Sequence, residues 1–281
     1  MILSRLFVWF QHLLPQHALS RLVLRATRAR TPFLKNSLIR GFLKLYTIDM
    51  NEAAQTDPLS YGSFNEFFTR SLKAGARECA ADPCAIASPV DGTVSEAGEI
   101  DGDRLLQAKG RYFTLSELLA ARAWAKDFEG GCFATLYLAP YNYHRVHMPL
   151  RGRLRETVFV PGHLFSVNAA TASLVPRLFA RNERVLSLFD TAFGEVALIL
   201  VGALNVGSIA TVWAGDITPA AGRAVAKLPT ADMSLDKGAE MGRFNMGSTV
   251  ILLFQRDRAR WHAGLRAGAT LKCGQTLGLL R

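Results

Sequence analysis

The chain has 281 residues, with 33 Lys and Arg against 23 Asp and Glu and a formal charge of +10 at neutral pH. Hydrophobic residues make up 49% and charged ones 20%, which excludes a disordered chain and suits one large domain or two small ones. Four cysteines exclude a disulfide-dense secreted scaffold, and the basic excess asks for an acidic partner, nucleic acid or an anionic membrane.

The charge is polarised. Met1 to Ile48 holds no Asp or Glu and eight positive side chains: Arg5, Arg21, Arg25, Arg28, Arg30, Lys35, Arg40 and Lys44. Those eight removed, 25 basic residues face 23 acidic ones in the remainder. Leu6, Phe7, Val8, Trp9, Phe10, Leu13 and Leu14, then Leu19, Leu22, Val23 and Leu24, follow helical spacing, broken near Pro15 and Pro32. No apolar run reaches the ~18–20 residues of a membrane span. The spacing predicts basic amphipathic helices over 1–53 that lie in the membrane interface. Ordinary helices with a solvated basic face are the alternative. A cleaved leader would also be Arg-rich, but the segment lacks a clean apolar core and a small-residue cleavage site. Nucleic acid is disfavoured, because no recognition helix or stacking platform follows.

From about Ala54 the chain reads as one domain, 54–281. Ser63–Arg70 suits a short helix capped by Ser63, with Glu66 three residues on. Strands are expected at Gly92–Ala97, Cys132–Leu138, Gly152–Val160, Val185–Asp190, Glu195–Ala203, Gly207–Trp213 and Ser248–Phe254. Leu115–Ala125 is the clearest later helix, and Leu164–Leu178 suits another short one. The apolar run Val196–Val206 is too short to span a membrane and reads as a core strand. The expected class is α+β, a β-rich sandwich- or barrel-like core behind N-terminal amphipathic, membrane-associating helices.

Chemistry has few footholds. Cys79 and Cys84 are five apart and Cys132 and Cys273 isolated, so no metal-binding pair repeats. No P-loop or GxGxxG turn is present. His144 and His147 sit among aromatics beside Arg145; with a remote His163 they could ligate zinc, but no carboxylate is near, and acid/base work suits them better. Asp91 lies in a Pro-x-Asp-Gly turn and Ser248 in a Gly-Ser-Thr step opening an apolar strand, each ordinary turn chemistry by itself. Together Asp91, His147 and Ser248 have the composition of an acid, base and nucleophile triad. The Gly-x-Ser-x-Gly elbow is missing, which disfavours an α/β-hydrolase.

The blocks Ser88–Val94, Tyr143–Pro149, Val160–Asn168, Leu178–Arg184 and Met241–Val250 resemble the bacterial pyruvoyl-dependent phosphatidylserine decarboxylases. They occur in the same order over nearly the whole chain, basic start included. The family's cleavage motif is commonly Leu-Gly-Ser-Thr; here Met246 replaces the Leu, an apolar swap of similar volume.

The resemblance implies self-cleavage between Gly247 and Ser248 into a large fragment 1–247 and a small one 248–281. It implies Asp91, His147 and Ser248 as the charge relay for cleavage. Ser248 then becomes a covalent pyruvoyl group that forms a Schiff base with phosphatidylserine, releasing carbon dioxide and phosphatidylethanolamine without metal or pyridoxal phosphate. His144 is implied as proton donor in decarboxylation, and Phe165 and Ser166 stand at the substrate entrance. The implied partners are phosphatidylserine in an anionic membrane, the protein's own two fragments, and a second copy as homodimer. The implied location is peripheral, on the cytoplasmic face of the bacterial cell membrane. Two other readings stand beside this one: a Ser-His-Asp hydrolase of lipids or peptides, and a non-catalytic membrane-binding module.

Overall fold

Three helices open the chain in the computed structural model, which describes residues 2–204, 208–217, 224–230 and 232–281: α1 (Ile2–Leu13), α2 (Gln16–Arg28) and α3 (Pro32–Leu45). The prolines act as expected. Pro15 precedes α2, and Pro32 begins α3, where its missing N–H costs nothing. Val8 and Ile39 are buried, whereas Leu6, Trp9, Phe10, Leu13, Phe33 and Leu45 are exposed. Polar groups seat the helices. Gln11 Oε1 accepts from the Ser166 amide at 2.7 Å and Gln16 Oε1 from the Leu164 amide at 2.7 Å. His17 Nε2 donates to the Gly162 carbonyl at 3.0 Å.

A short helix, α4 (Phe64–Phe68), packs Phe64, Phe67 and Phe68 against Ile39 and Phe42 of α3. Only half of the anticipated cap forms: Ser63 Oγ accepts from the Glu66 amide, while the Glu66 carboxylate turns to the Gly62 amide.

The body is a mixture of helix and antiparallel sheet. Its largest sheet runs, in spatial order, through Gly152–Val160, Arg184–Thr191, Gly194–Val201, Ser248–Phe254, Cys132–Leu138 and Gly92–Glu99, with short strands at its edges. Ser248–Phe254 lies in the middle and is buried along its whole length. A strand covered on both faces reads as a continuous apolar run rather than an alternating one, as this one does. Its five residues Val250–Phe254 contribute roughly 8–15 kcal/mol of gross burial free energy.

Strand bounds agree with expectation at Cys132–Leu138, Gly152–Val160 and Ser248–Phe254. Gly207–Trp213 shortens to Ile209–Thr211, with Gly207 outside the described residues. Two helices differ. Leu115–Ala125 breaks after Leu118, where Ala120 and Ala121 take φ of 50° and 54°, and a separate turn of helix covers Ala123–Phe128. A continuous helix would carry Arg122 and Lys126 onto the face of Leu115 and Leu118. The break lets Trp124 and Phe128 enter the core while Arg122 reaches Glu156. Leu164–Leu178 is likewise divided, into an irregular loop, Ala169–Leu174 and a following turn of helix at Leu178–Arg181.

Candidate active site

Sheet register makes the site. Ser248 stands opposite Leu138 at the end of the central pairing. Beyond that point both chains leave the large sheet and pair again in a second one, Arg145–His147 with Glu240–Phe244. The connections 139–144 and 245–247 therefore run side by side, and the Phe244 amide donates to the His144 carbonyl at 3.0 Å. A Cβ on Gly247 would stand at ordinary contact distance, 3.4 Å from His144 Nε2 and 3.5 Å from the Leu138 carbonyl oxygen, which sets the His144 ring against this residue.

His144 is fully buried, its ring 4.1 Å from that of Phe68. Its Nδ1 donates to the Asn142 carbonyl at 2.7 Å, which leaves Nε2 as a lone pair without a partner. Burial, reinforced by the charge of Arg70 and opposed by the Asn142 contact, pushes its pKa down to about 3. Ser248 Oγ, on the residue after Gly247, is also buried and unpartnered among the described residues.

His147 faces a neighbouring cavity of about 350 Å³ lined also by Arg77, Ser88, Tyr143 and Cys273. Its Nδ1 donates to the Gly238 carbonyl at 2.8 Å, so Nε2 accepts from the Tyr143 hydroxyl at 3.0 Å. Burial raises the Tyr143 pKa and keeps that phenol a donor. The Asp91 carboxylate is held by Arg77 Nε at 2.8 Å and by the Cys273 amide at 2.8 Å. A Cβ on Gly92 would meet the Tyr137 carbonyl oxygen at 2.4 Å; the glycine lets the Asp91 turn lie against the strand that ends at Leu138.

The structure thus gathers Gly247, Ser248 and His144 at one point, with Asp91 and His147 around an adjacent cavity. The hydrogen bond from the His147 ring to the Asp91 carboxylate that a relay implies is not formed in the intact chain. Both ring nitrogens have other partners, and Arg77 occupies the carboxylate. Ser166 lines a second cavity, of about 310 Å³, with Gly247, Met246, Tyr137, Phe42 and Tyr46, at the lower end of the size of small-molecule sites. Phe165 is not on that wall. Its ring packs between His12 at 4.7 Å and His163 at 5.1 Å, under Arg181, where it anchors α1. His163 therefore belongs to the helix contact. Among the described residues, no three His, Cys, Asp or Glu side chains gather as a metal site.

Arg77, Gly238 and Arg70 were not singled out from sequence. Carbonyl partners leave no trace in side-chain identity, Arg77 lies in an unremarkable polar stretch, and nothing local marks Arg70 at the end of the Ser63–Arg70 segment.

Comparison with known proteins places the chain. The family described as phosphatidylserine decarboxylase matches residues 64–279, and a second family description, PSD, matches residues 6–47. The phosphatidylserine decarboxylase proenzyme of Methylococcus capsulatus is 52% identical over 280 residues, covering 99% of this chain and 97% of that protein. The proenzyme of Azotobacter vinelandii is 52% identical over 281 residues, covering 98% of each. That of Hahella chejuensis is 48% identical over 280 residues, covering 99% of this chain and 94% of its own. The chain belongs to the phosphatidylserine decarboxylase family.

Proposed function

We propose that this protein is a self-processing decarboxylase that converts phosphatidylserine to phosphatidylethanolamine and carbon dioxide. The observation that carries this reading is a buried serine with a free hydroxyl, preceded by a glycine and adjoined by an unpartnered imidazole nitrogen. The cavity beside it is walled by Phe42 of α3 and by Tyr46 just beyond that helix.

In the cleavage step, Ser248 Oγ adds to the Gly247 carbonyl carbon and its proton passes to a base. The C–N bond breaks as the nitrogen takes a proton, leaving an ester. Removal of the Ser248 Cα proton then expels the Gly247 carboxylate and divides the chain into 1–247 and 248–281. Water replaces the nitrogen, which leaves as ammonia. Ser248 and its surroundings fit the resulting pyruvoyl group, which supplies an electron sink for the departing carboxylate.

His147 and Asp91 serve the cleavage. With Nδ1 fixed on Gly238, Nε2 is the basic nitrogen of His147, and it must exchange Tyr143 for Ser248 to act. His144 serves decarboxylation. Burial keeps it neutral in the intact chain, and negative charge arriving with cleavage and substrate restores its basicity. A second reading gives the cleavage proton to His144 itself, favoured by its position beside Gly247.

The segment 1–53 is proposed as the membrane-docking part, peripheral on the cytoplasmic face, and 54–281 as the catalytic domain. Exposed Leu6, Trp9, Phe10 and Leu13 on an acid-free stretch support interfacial binding to an anionic bilayer. No described helix is long and apolar enough to span a membrane. Burial of both faces of Ser248–Phe254 supports a sandwich- or barrel-like core.

Mass spectrometry of purified protein tests the central claim. Two fragments meeting at Gly247 and Ser248 are expected, the smaller one blocked at its amino terminus. An intact chain that still decarboxylates sinks the reading, and intact protein labelled at Ser248 by a serine-directed reagent marks a hydrolase. His144→Ala decides between the histidines: cleavage without carbon dioxide release supports the division, whereas an uncut chain assigns His144 to cleavage.

A further inference from the structure

Among the described residues, Arg184 and Arg70 are the most deeply buried arginines, 3% and 6% exposed. Their surroundings are opposite. The Arg184 guanidinium donates to the carbonyls of Glu117, Leu118, Ala180 and Asn182. The Arg70 guanidinium makes no hydrogen bond or ion pair with any described residue, and its Nε is enclosed without a partner. Its one specific contact is the face of the Phe67 ring at 5.7 Å. An isolated buried ion costs several kcal/mol, and an apolar side chain of its shape would be more stable. Tyr61, Asp91 and Glu52 ease its charge only from a distance, since none bonds to it and both carboxylates are held by Arg77.

Its place in the fold gives the reason. Arg70 follows α4, and α4 holds the 245–247 connection: Asn65 Nδ2 donates to the Asn245 carbonyl at 2.8 Å, and Met246 packs on the phenylalanines of α4. Phe68, two residues before Arg70, carries the His144 ring on its own. His144 Nε2 and Ser248 Oγ are buried and unpartnered on either side of Gly247, and Arg70, with its own unpartnered Nε, is near enough for its charge to act on the His144 ring. Such groups are normally satisfied.

We propose that Arg70 is the receptor for an oxyanion that reaches the Gly247–His144 site only after the chain is cut. This inference rests on the self-processing reading. Two sources carry that chemistry. When the Cβ–O bond of residue 248 breaks, the electron pair stays on the Gly247 carboxylate; the lipid headgroup brings a phosphodiester. Guanidinium binds either by paired N–H donors. In the intact chain the same charge lies idle and unfavourable.

Melting of Arg70→Met is measured in two backgrounds, the uncleavable Ser248→Ala full chain and the cleaved protein. In the uncut background the substitution is expected to leave Tm unchanged or raise it by a few degrees. In the cut protein it is expected to lower Tm by about 3–8 °C. A reversal seen in cut protein without ligand identifies the Gly247 carboxylate as the partner. A reversal that needs added glycerophosphoethanolamine, which has a phosphodiester and no carboxylate, identifies the headgroup. Equal loss of Tm in both backgrounds makes Arg70 a structural residue and overturns the proposal, as does no loss of Tm in cut protein with glycerophosphoethanolamine added. An Arg70→Met chain that stays whole while wild type is cut also overturns it, by placing Arg70 in the cutting step. Wild type that stays whole refutes self-processing instead, a separate failure.

Discussion

The N-terminal helices and the central sheet are held by different forces. Strands such as Ser248–Phe254 and Gly194–Val201 keep six or seven consecutive side chains out of water. In α1 and α2 the seating depends on Gln11, Gln16 and His17, which reach backbone groups of the 162–166 loop, while large apolar side chains point outward. Burial binds tightly but uses up the apolar surface that makes it. Polar contacts of about 1 kcal/mol each can orient a helix and leave its apolar face free. The contrast suits a body that must stay folded beside a segment that must offer itself to something else.

The largest effect is expected in the sheet. Leu252→Ala, at the centre of its strand, should cost about 2–5 kcal/mol of unfolding free energy by denaturant titration. A cost below 1 kcal/mol would erase the distinction drawn between the two regions.

Acid should act on the body next, through His144. Its pKa of about 3 lies below the unfolded value near 6.5, so the folded state binds fewer protons. Its contribution is complete above pH 6.5 and falls as pH drops from there towards 3, by at most about 1.4 kcal/mol per pH unit. Stability measured across that window should fall less steeply in His144→Gln; identical slopes would show that another group dominates.

The latches come third. Gln11→Ala combined with Gln16→Ala leaves the amides of Ser166 and Leu164 without their acceptors, at a cost of about 1–3 kcal/mol. The helices should then be cut by limited proteolysis well before the body. Simultaneous digestion would mean that the two regions are one cooperative unit.

The smallest change in stability is expected at the outward face. Trp9→Ser with Phe10→Ser should shift stability by no more than about 0.5 kcal/mol. Binding to vesicles rich in phosphatidylserine should nevertheless fall about tenfold or more. Unchanged binding in a sedimentation assay would remove these side chains from the docking surface.

Much of the body was legible because its strands are continuous apolar runs closed by turn residues, which is why Cys132–Leu138 and Ser248–Phe254 keep their bounds. Leu115–Ala125 was not, because its helical spacing ignores that Arg122 would have to enter the core. At the site, residue types marked Asp91, His144, His147 and Ser248, but register decided their neighbours. His144 meets Gly247 because two connections about a hundred residues apart leave the same pair of strands together. Arg77 on Asp91, and the Gly238 carbonyl on His147, arise from loops meeting in space, for which the chain carries no local pattern.

The central place of Ser248–Phe254 has one more consequence. If the chain is cut just before that strand, the piece beginning there stays clamped between Cys132–Leu138 and Gly194–Val201. Should the mature molecule ever unfold, its middle strand becomes a separate peptide that must be recaptured from solution, at ambient concentration and no longer at the high local concentration of a tether. Synthesis and folding of the uncut chain would then be the one efficient route to the mature form. Heat or denaturant, applied afterwards, would be a one-way door.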